Sequence, residues 1–137
     1  MIDIKNKVKI KPPIGGLIIK KIKNDIIGRN YYLSLVFVSD KFSKDLNFKY
    51  RQKDYSANVL SFPLTKKSGE IFINLRKIKR EAKNYGVSGK SFFTYLFIHS
   101  LLHLKGLKHG NKMSQKELYW LKKFKIPIIK NLKKLLL

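Results

Sequence analysis

The chain contains no cysteine. Disulfide frameworks, thiolate zinc ribbons and cysteine nucleophiles are thereby excluded, and a metal site has to be built from histidines and carboxylates. Carboxylates are scarce too: 8 Asp and Glu stand against 31 Lys and Arg, a formal charge of +23. That excess lies far above the magnitude of about 2 to 8 usual for a small soluble domain. It points to a polyanionic partner, although net charge speaks for association and not for a fold. Arginine is sparse within the basic set, limited to Arg29, Arg51, Arg76 and Arg80. Part of the lysine excess, in a chain also rich in Ile and Asn, reads as compositional background. No stretch approaches the roughly 20 apolar residues of a membrane span, the longest being Phe92 to Leu104, which itself contains two histidines. The first residues carry Asp3, Lys5, Lys7 and Lys9 with no apolar segment behind them, unlike a secretory signal. A soluble, cytoplasmic protein with no membrane partner is expected.

What is present is ample for folding. The 137 residues are 44% hydrophobic and 12% aromatic, enough for one buried core and short of two, so a single domain over 1–137 is expected. Ile2, Ile4, Val8 and Ile10 alternate with charged residues, the period of a half-buried strand over 2–10. Pro12, Pro13, Gly15 and Gly16 break it, and helical spacing then runs from Leu17 to a stop at Gly28. Asn30 to Val38 reads as a strand buried on both faces, and Ser39 or Asp40 as the cap of a short helix containing Phe42 and Leu46. Two further strands, 58–63 and 71–74, flank a turn at Lys66 to Gly69. Arg76 to Tyr85 forms a basic amphipathic helix, and Ser88 caps an apolar one that runs to Leu104 and is closed by Gly106. Ser114 to Glu117 has the form of a capping box opening a last helix with Leu118, Trp120, Leu121 and Phe124, ended or kinked by Pro127 before a basic tail. The order predicts an α+β fold: a single mixed sheet of about four strands packed with helices, its histidine-bearing helix followed by a glycine turn.

His99, His103 and His109 are the three histidines of the chain, and they fall within eleven residues of one another. Histidines four apart on a helix project from one face about 6 Å apart along the axis, within reach of one ion. A sharp turn at Gly106 then lets His109 swing back as a third ligand. Three imidazoles with an open fourth position suit a catalytic zinc, which lowers the pKa of a bound water toward about 7. The alternative is two core histidines and one in a loop. The spacing also matches the zinc segment of the metzincin proteases, but their general-base Glu is here Ser100, which disfavours proteolysis. Met113 reads either as a residue beneath the site or as simple packing.

Three blocks together resemble the YbeY family of ribosomal RNA maturation factors. His99, Leu102, His103, Leu104, Gly106 and His109 fit its H-G-x-L-H-L-x-G-Y-D-H signature. The run from Tyr50 through Arg51, Lys53, Asp54, Val59, Leu60, Ser61 and Phe62 to Pro63 is similar to its Y-R-x-K-D-x-P-T-D-V-L-S-F-P block, and Gly69-Glu70-Ile71-Phe72-Ile73 to its G-D-I-x-I strand. The resemblance implies a zinc-dependent, single-strand-specific endoribonuclease acting in 16S ribosomal RNA 3′-end maturation and ribosome quality control. Its partners would be ribosomal RNA and small-subunit ribosomal proteins, and one Zn2+ would be held by His99, His103 and His109. Arg51 is then the candidate for binding the scissile phosphate, because its planar fork suits that group, the alternative being a surface ion pair with Asp54. Asp54 and Asn58 are weaker candidates for orienting groups. Arg76, Lys79, Arg80 and Lys108 are the expected phosphate contacts, with Tyr50, Tyr55 and Phe62 able to stack bases. Departures from the pattern are Lys108 for Asp, Ser100 for Gly, Asn58 for Asp and Ser56-Ala57 for Pro-Thr. Gly110, Asn111 and Lys112 replace the family's acidic residues after the last histidine. A lysine in place of a carboxylate beside a ligand implies weaker metal binding and leaves a non-enzymatic factor with a structural metal as the alternative.

Overall fold

The computed structural model describes residues 1–127. Four strands and five helices follow in the order β1 (Ile2–Asn6), α1 (Gly16–Ile27), β2 (Tyr32–Phe37), α2 (Asp40–Arg51), β3 (Val59–Thr65), β4 (Ser68–Ile73), α3 (Leu75–Tyr85), α4 (Gly89–Leu104) and α5 (Asn111–Lys123). The strands form one mixed sheet in the order β1-β2-β4-β3, parallel except for β3, which runs antiparallel to β4 along the edge. The α+β class and the four strands agree with expectation.

The two sheet faces differ. Leu33, Leu35 and Phe37 of β2, with Ile71 and Ile73 of β4, turn to one side and are buried in the main core. Against that side stands α4, apolar around its whole circumference and buried from Ser91 to Leu102, as a central helix must be. It packs on β3, α1, α3 and α5. The close approach at its end explains Gly69: a Cβ there would stand 2.9 Å from the Leu104 side chain and nearer still to the Tyr31 hydroxyl. The opposite face carries Ser34, Glu70, Phe72 and Phe62, with Phe42 of α2 against Phe72.

Caps set the element bounds. The hydroxyls of Ser39 and Ser88 accept from the Phe42 and Ser91 amides at 3.1 and 3.0 Å, as the sequence predicts. Other boundaries differ. β1 stops at Asn6, whose Oδ1 accepts from the Val8 and Lys9 amides and turns the chain, so the alternation to Ile10 is not continued strand. α2 extends to Arg51, and β4 begins at Ser68 within the expected turn. α5 begins three residues before Ser114, so Ser114 and Glu117 are not a capping box. It ends at Lys123, short of Pro127, and the basic tail beyond lies outside the described residues. No helix among the described residues is long and apolar enough to cross a membrane.

Candidate metal centre

α4 places His99 and His103 one turn apart on the face that meets β3. Their Nε2 atoms are 3.0 Å apart, near the separation of about 3.3 Å that two nitrogens take when both bind one tetrahedral zinc at 2.0–2.1 Å. The helix then ends in a turn where the Gly106 amide donates to the His103 carbonyl and the Leu107 amide to the Leu102 carbonyl. Gly106 adopts φ +99°, a conformation that only glycine takes at little cost. The chain reverses and brings His109 back, its ring centroid 5.2 Å from that of His99 and 4.7 Å from that of His103. One ligand nitrogen from each of the three lies within 4.8 Å of the others. Burial, then the neighbouring His99 and His109, pushes His103 down to about 4. Its ring is therefore neutral at pH 7, the form that binds metal.

Sequence reasoning missed Glu117. Its Oε2 lies 2.8 Å from His99 Nδ1, with both side chains more than nine-tenths buried. A carboxylate there accepts the Nδ1 hydrogen, leaves the lone pair on Nε2 and aims it at the ligand position, the arrangement that commonly supports metal-bound histidine. Burial raises the neighbouring Tyr95 hydroxyl, and the Glu117 charge raises it further, so that group stays neutral. The signal in the sequence was a carboxylate on the buried stripe of α5 with Met113 and Leu121, masked by its resemblance to a cap. Met113 itself is core packing.

A cleft of about 410 Å³ opens between α4 and β3, lined by the three histidines together with Tyr50, Arg51, Asn58, Ser61 and Phe62. Ser43 and Asn47 of α2 donate to the Ala57 and Tyr55 carbonyls at 2.6 and 2.9 Å, and so fasten the loop that leads from Arg51 into β3. The Arg51–Asp54 pair, the alternative reading of Arg51, is not formed: Asp54 lies 3.7 Å from Lys44, and among the described residues no ion pair involves Arg51. Asn58 lines the cleft and donates to Glu81 at 3.0 Å, whereas Asp54 lies outside it. The Ser100 hydroxyl donates to the Leu96 carbonyl and carries no general-base function.

The cleft wall includes none of Arg76, Lys79, Arg80 and Lys108. All four are exposed, and Lys108 adjoins His109 in the turn. Arg80 makes a two-pronged bond to Asp40 at 3.0 and 3.2 Å and is held by it. Tyr55 is exposed outside the wall, with the Lys77 ammonium 5.4 Å from its ring centre.

A family model described as Endoribonuclease YbeY matches residues 5–126. Relatives of that name are similar to the chain over much of their length: one from Phytoplasma mali is 38% identical over 85% of this chain and 80% of its own. Another, from Campylobacter jejuni, is 36% identical over 69% of this chain and 76% of its own. The solution structure of a Thermotoga maritima protein shares the fold, with a TM-score of 0.63, 23% identity and coverage of 91% and 92% of the two chains. With the signature histidines converging on one cleft and the family match spanning nearly the whole sequence, the chain belongs to the YbeY endoribonuclease family.

Proposed function

We propose that this chain is a zinc-dependent endoribonuclease that cuts single-stranded RNA during ribosomal RNA maturation, with residues 1–137 acting as one catalytic domain. The observation that carries the reading is the convergence of three imidazoles and the Arg51 guanidinium on one cleft. The donor set fits zinc: three nitrogens, no thiolate, one histidine fixed by a buried carboxylate and one held neutral. A zinc ion held by His99, His103 and His109 would supply Lewis acidity and bring a water's pKa near neutrality.

The remaining work falls to the chain. Arg51 binds the scissile phosphate through its two-pronged face and offsets the charge that grows on it. Ser61 and Asn58 shape the wall opposite the histidines. Arg76, Lys79 and Lys108 attract the phosphate backbone without reading its sequence. Arg80, tied to Asp40, contributes less than its charge suggests. The alternative of a non-enzymatic factor rested on Lys108 replacing a carboxylate beside the ligands, and Glu117 supplies a carboxylate to His99 from another element. Cytoplasmic ribosomal RNA of the small subunit, its 16S 3′ end and the proteins bound there are the natural setting of such an activity.

Incubation of the zinc-loaded protein with matched single-stranded and duplex RNAs tests the reading. Cleavage confined to the single strand is expected; equal cleavage of both, or of neither, contradicts it.

A further inference from the structure

We propose that a row of four aromatic rings leading out of the cleft is the track on which the single strand lies beside the cut. The inference rests on the RNA-cleaving reading above and extends it to nucleotides that do not touch the metal centre. Tyr50 and Phe62 line the cleft next to Arg51. From there the rings continue without a gap over the sheet face turned away from the main core: Tyr50 to Phe62 at 5.1 Å between centres, Phe62 to Phe72 at 5.9 Å, Phe72 to Phe42 at 5.8 Å.

Phe42 and Tyr50 both stand on α2 and pack it on Phe72 and Phe62, yet that packing leaves the two end rings open. Phe37, Phe92, Phe93 and Phe97 of the main core are at most 1% exposed, whereas Phe42 and Tyr50, at the two ends of the row, are 40% and 54% exposed. Phe62 and Phe72 form a half-buried floor between them. Cations accompany both exposed rings, Lys49 at 5.3 Å from the centre of Tyr50 and Lys7 at 6.0 Å from that of Phe42. Glu70, across the ladder from Phe62, is occupied by the Ser34 hydroxyl at 2.9 Å.

The chemistry that recognises such a surface is unpaired nucleobases joined by phosphates. Bases stack on exposed ring faces whatever their identity, and lysines between them meet the backbone. A floor of this length suits two or three bases, as on other sheet faces that bind single strands. Duplex RNA hides its base faces and cannot use it, so the track favours single strands independently of the metal.

The test uses the full chain loaded with zinc and 2′-O-methyl oligouridylates of three and nine nucleotides, with binding read by fluorescence anisotropy at fixed salt. Wild-type protein should bind the longer probe more tightly. Phe42→Ala should weaken that binding by about 5- to 150-fold, the range for losing one stacked base, and leave the short probe unaffected. Phe42→Leu keeps apolar bulk without a ring face and should lose as much, whereas Phe42→Tyr should bind as wild type does. A matching thermal melt shows that Phe42→Leu is folded. Wild-type affinity in Phe42→Leu, or a long probe bound no better than a short one, overturns the track alone. Failure of wild-type protein to bind either probe overturns the RNA reading as well.

Discussion

Replacing Glu117 by glutamine separates the role of its charge from that of its bulk. In the native protein the carboxylate Oε2 sits 2.8 Å from His99 Nδ1, with 8% and 6% of the two side chains exposed, so water neither competes for the bond nor replaces it. The glutamine carbonyl can still accept the Nδ1 hydrogen, which preserves the tautomer, but the negative charge that strengthens the opposite nitrogen as a donor is gone. Partners of this kind are worth about 10- to 100-fold in metal affinity. Glutamine should therefore cost about tenfold and Glu117→Ala the upper end of the range. Alanine also strands a buried N–H, at about 1–3 kcal/mol of stability, and should lower the melting temperature by several degrees. Competition against a chromophoric zinc chelator reads the affinities, and a melt of the zinc-free proteins reads the stability. Wild-type zinc affinity in both variants would refute the argument that Glu117 supports the site.

Arg51→Ala should keep zinc content and melting temperature but cut single-stranded RNA at least about a hundredfold more slowly, as for loss of one charge-stabilising donor; unchanged cleavage would remove Arg51 from the chemistry. Lys108→Asp should change zinc affinity by less than about tenfold, since Glu117 already orients His99, and a gain of 10- to 100-fold would mean that the turn position matters as much. The Arg80 guanidinium, then the Asn74 amide, holds Asp40 below the ordinary carboxylate range. The pair's contribution is accordingly present above the unfolded value near 3.9 and lost as pH falls through the lower folded value. With the two side chains 54% and 44% exposed, that contribution stays under about 1 kcal/mol. Asp40→Asn should unfold at lower urea than wild type at pH 6, with the difference shrinking as pH falls below about 4, and a difference that does not shrink would assign the effect to packing.

Local chemistry was readable where it decides the outcome locally. Ser39 and Ser88 cap helices because their hydroxyls meet amides three residues on. Gly106 turns the chain because its backbone must adopt positive φ, and His99 and His103 share a face because the helix repeat puts them there. The convergence of His99, His103 and His109 was legible for the same reason. Most of what escaped depends on residues distant in sequence. Glu117 reaches His99 across 18 positions, and its spacing from Ser114 imitates a cap that α5, starting at Asn111, does not need. Arg80 finds Asp40 across 40 positions, which no charge pattern along α3 announces. β1 ends at Asn6 although the alternation continues, because the side chain of Asn6 offers the next two amides a turn in place of a ladder. The aromatic row needed the sheet register, which sets Phe62 and Phe72 on the same face of neighbouring strands.

The central claim is that His99, His103 and His109 together hold the single zinc ion on which RNA cleavage depends. Its most direct test strips the protein with a chelator and titrates zinc back while following cleavage of a single-stranded RNA, with His103→Ala in parallel. The account predicts that activity vanishes on stripping and returns in proportion to zinc until one equivalent is bound, and that His103→Ala neither retains the metal nor recovers. Cleavage that survives stripping, or a His103→Ala protein that binds one zinc and cuts like wild type, would contradict it.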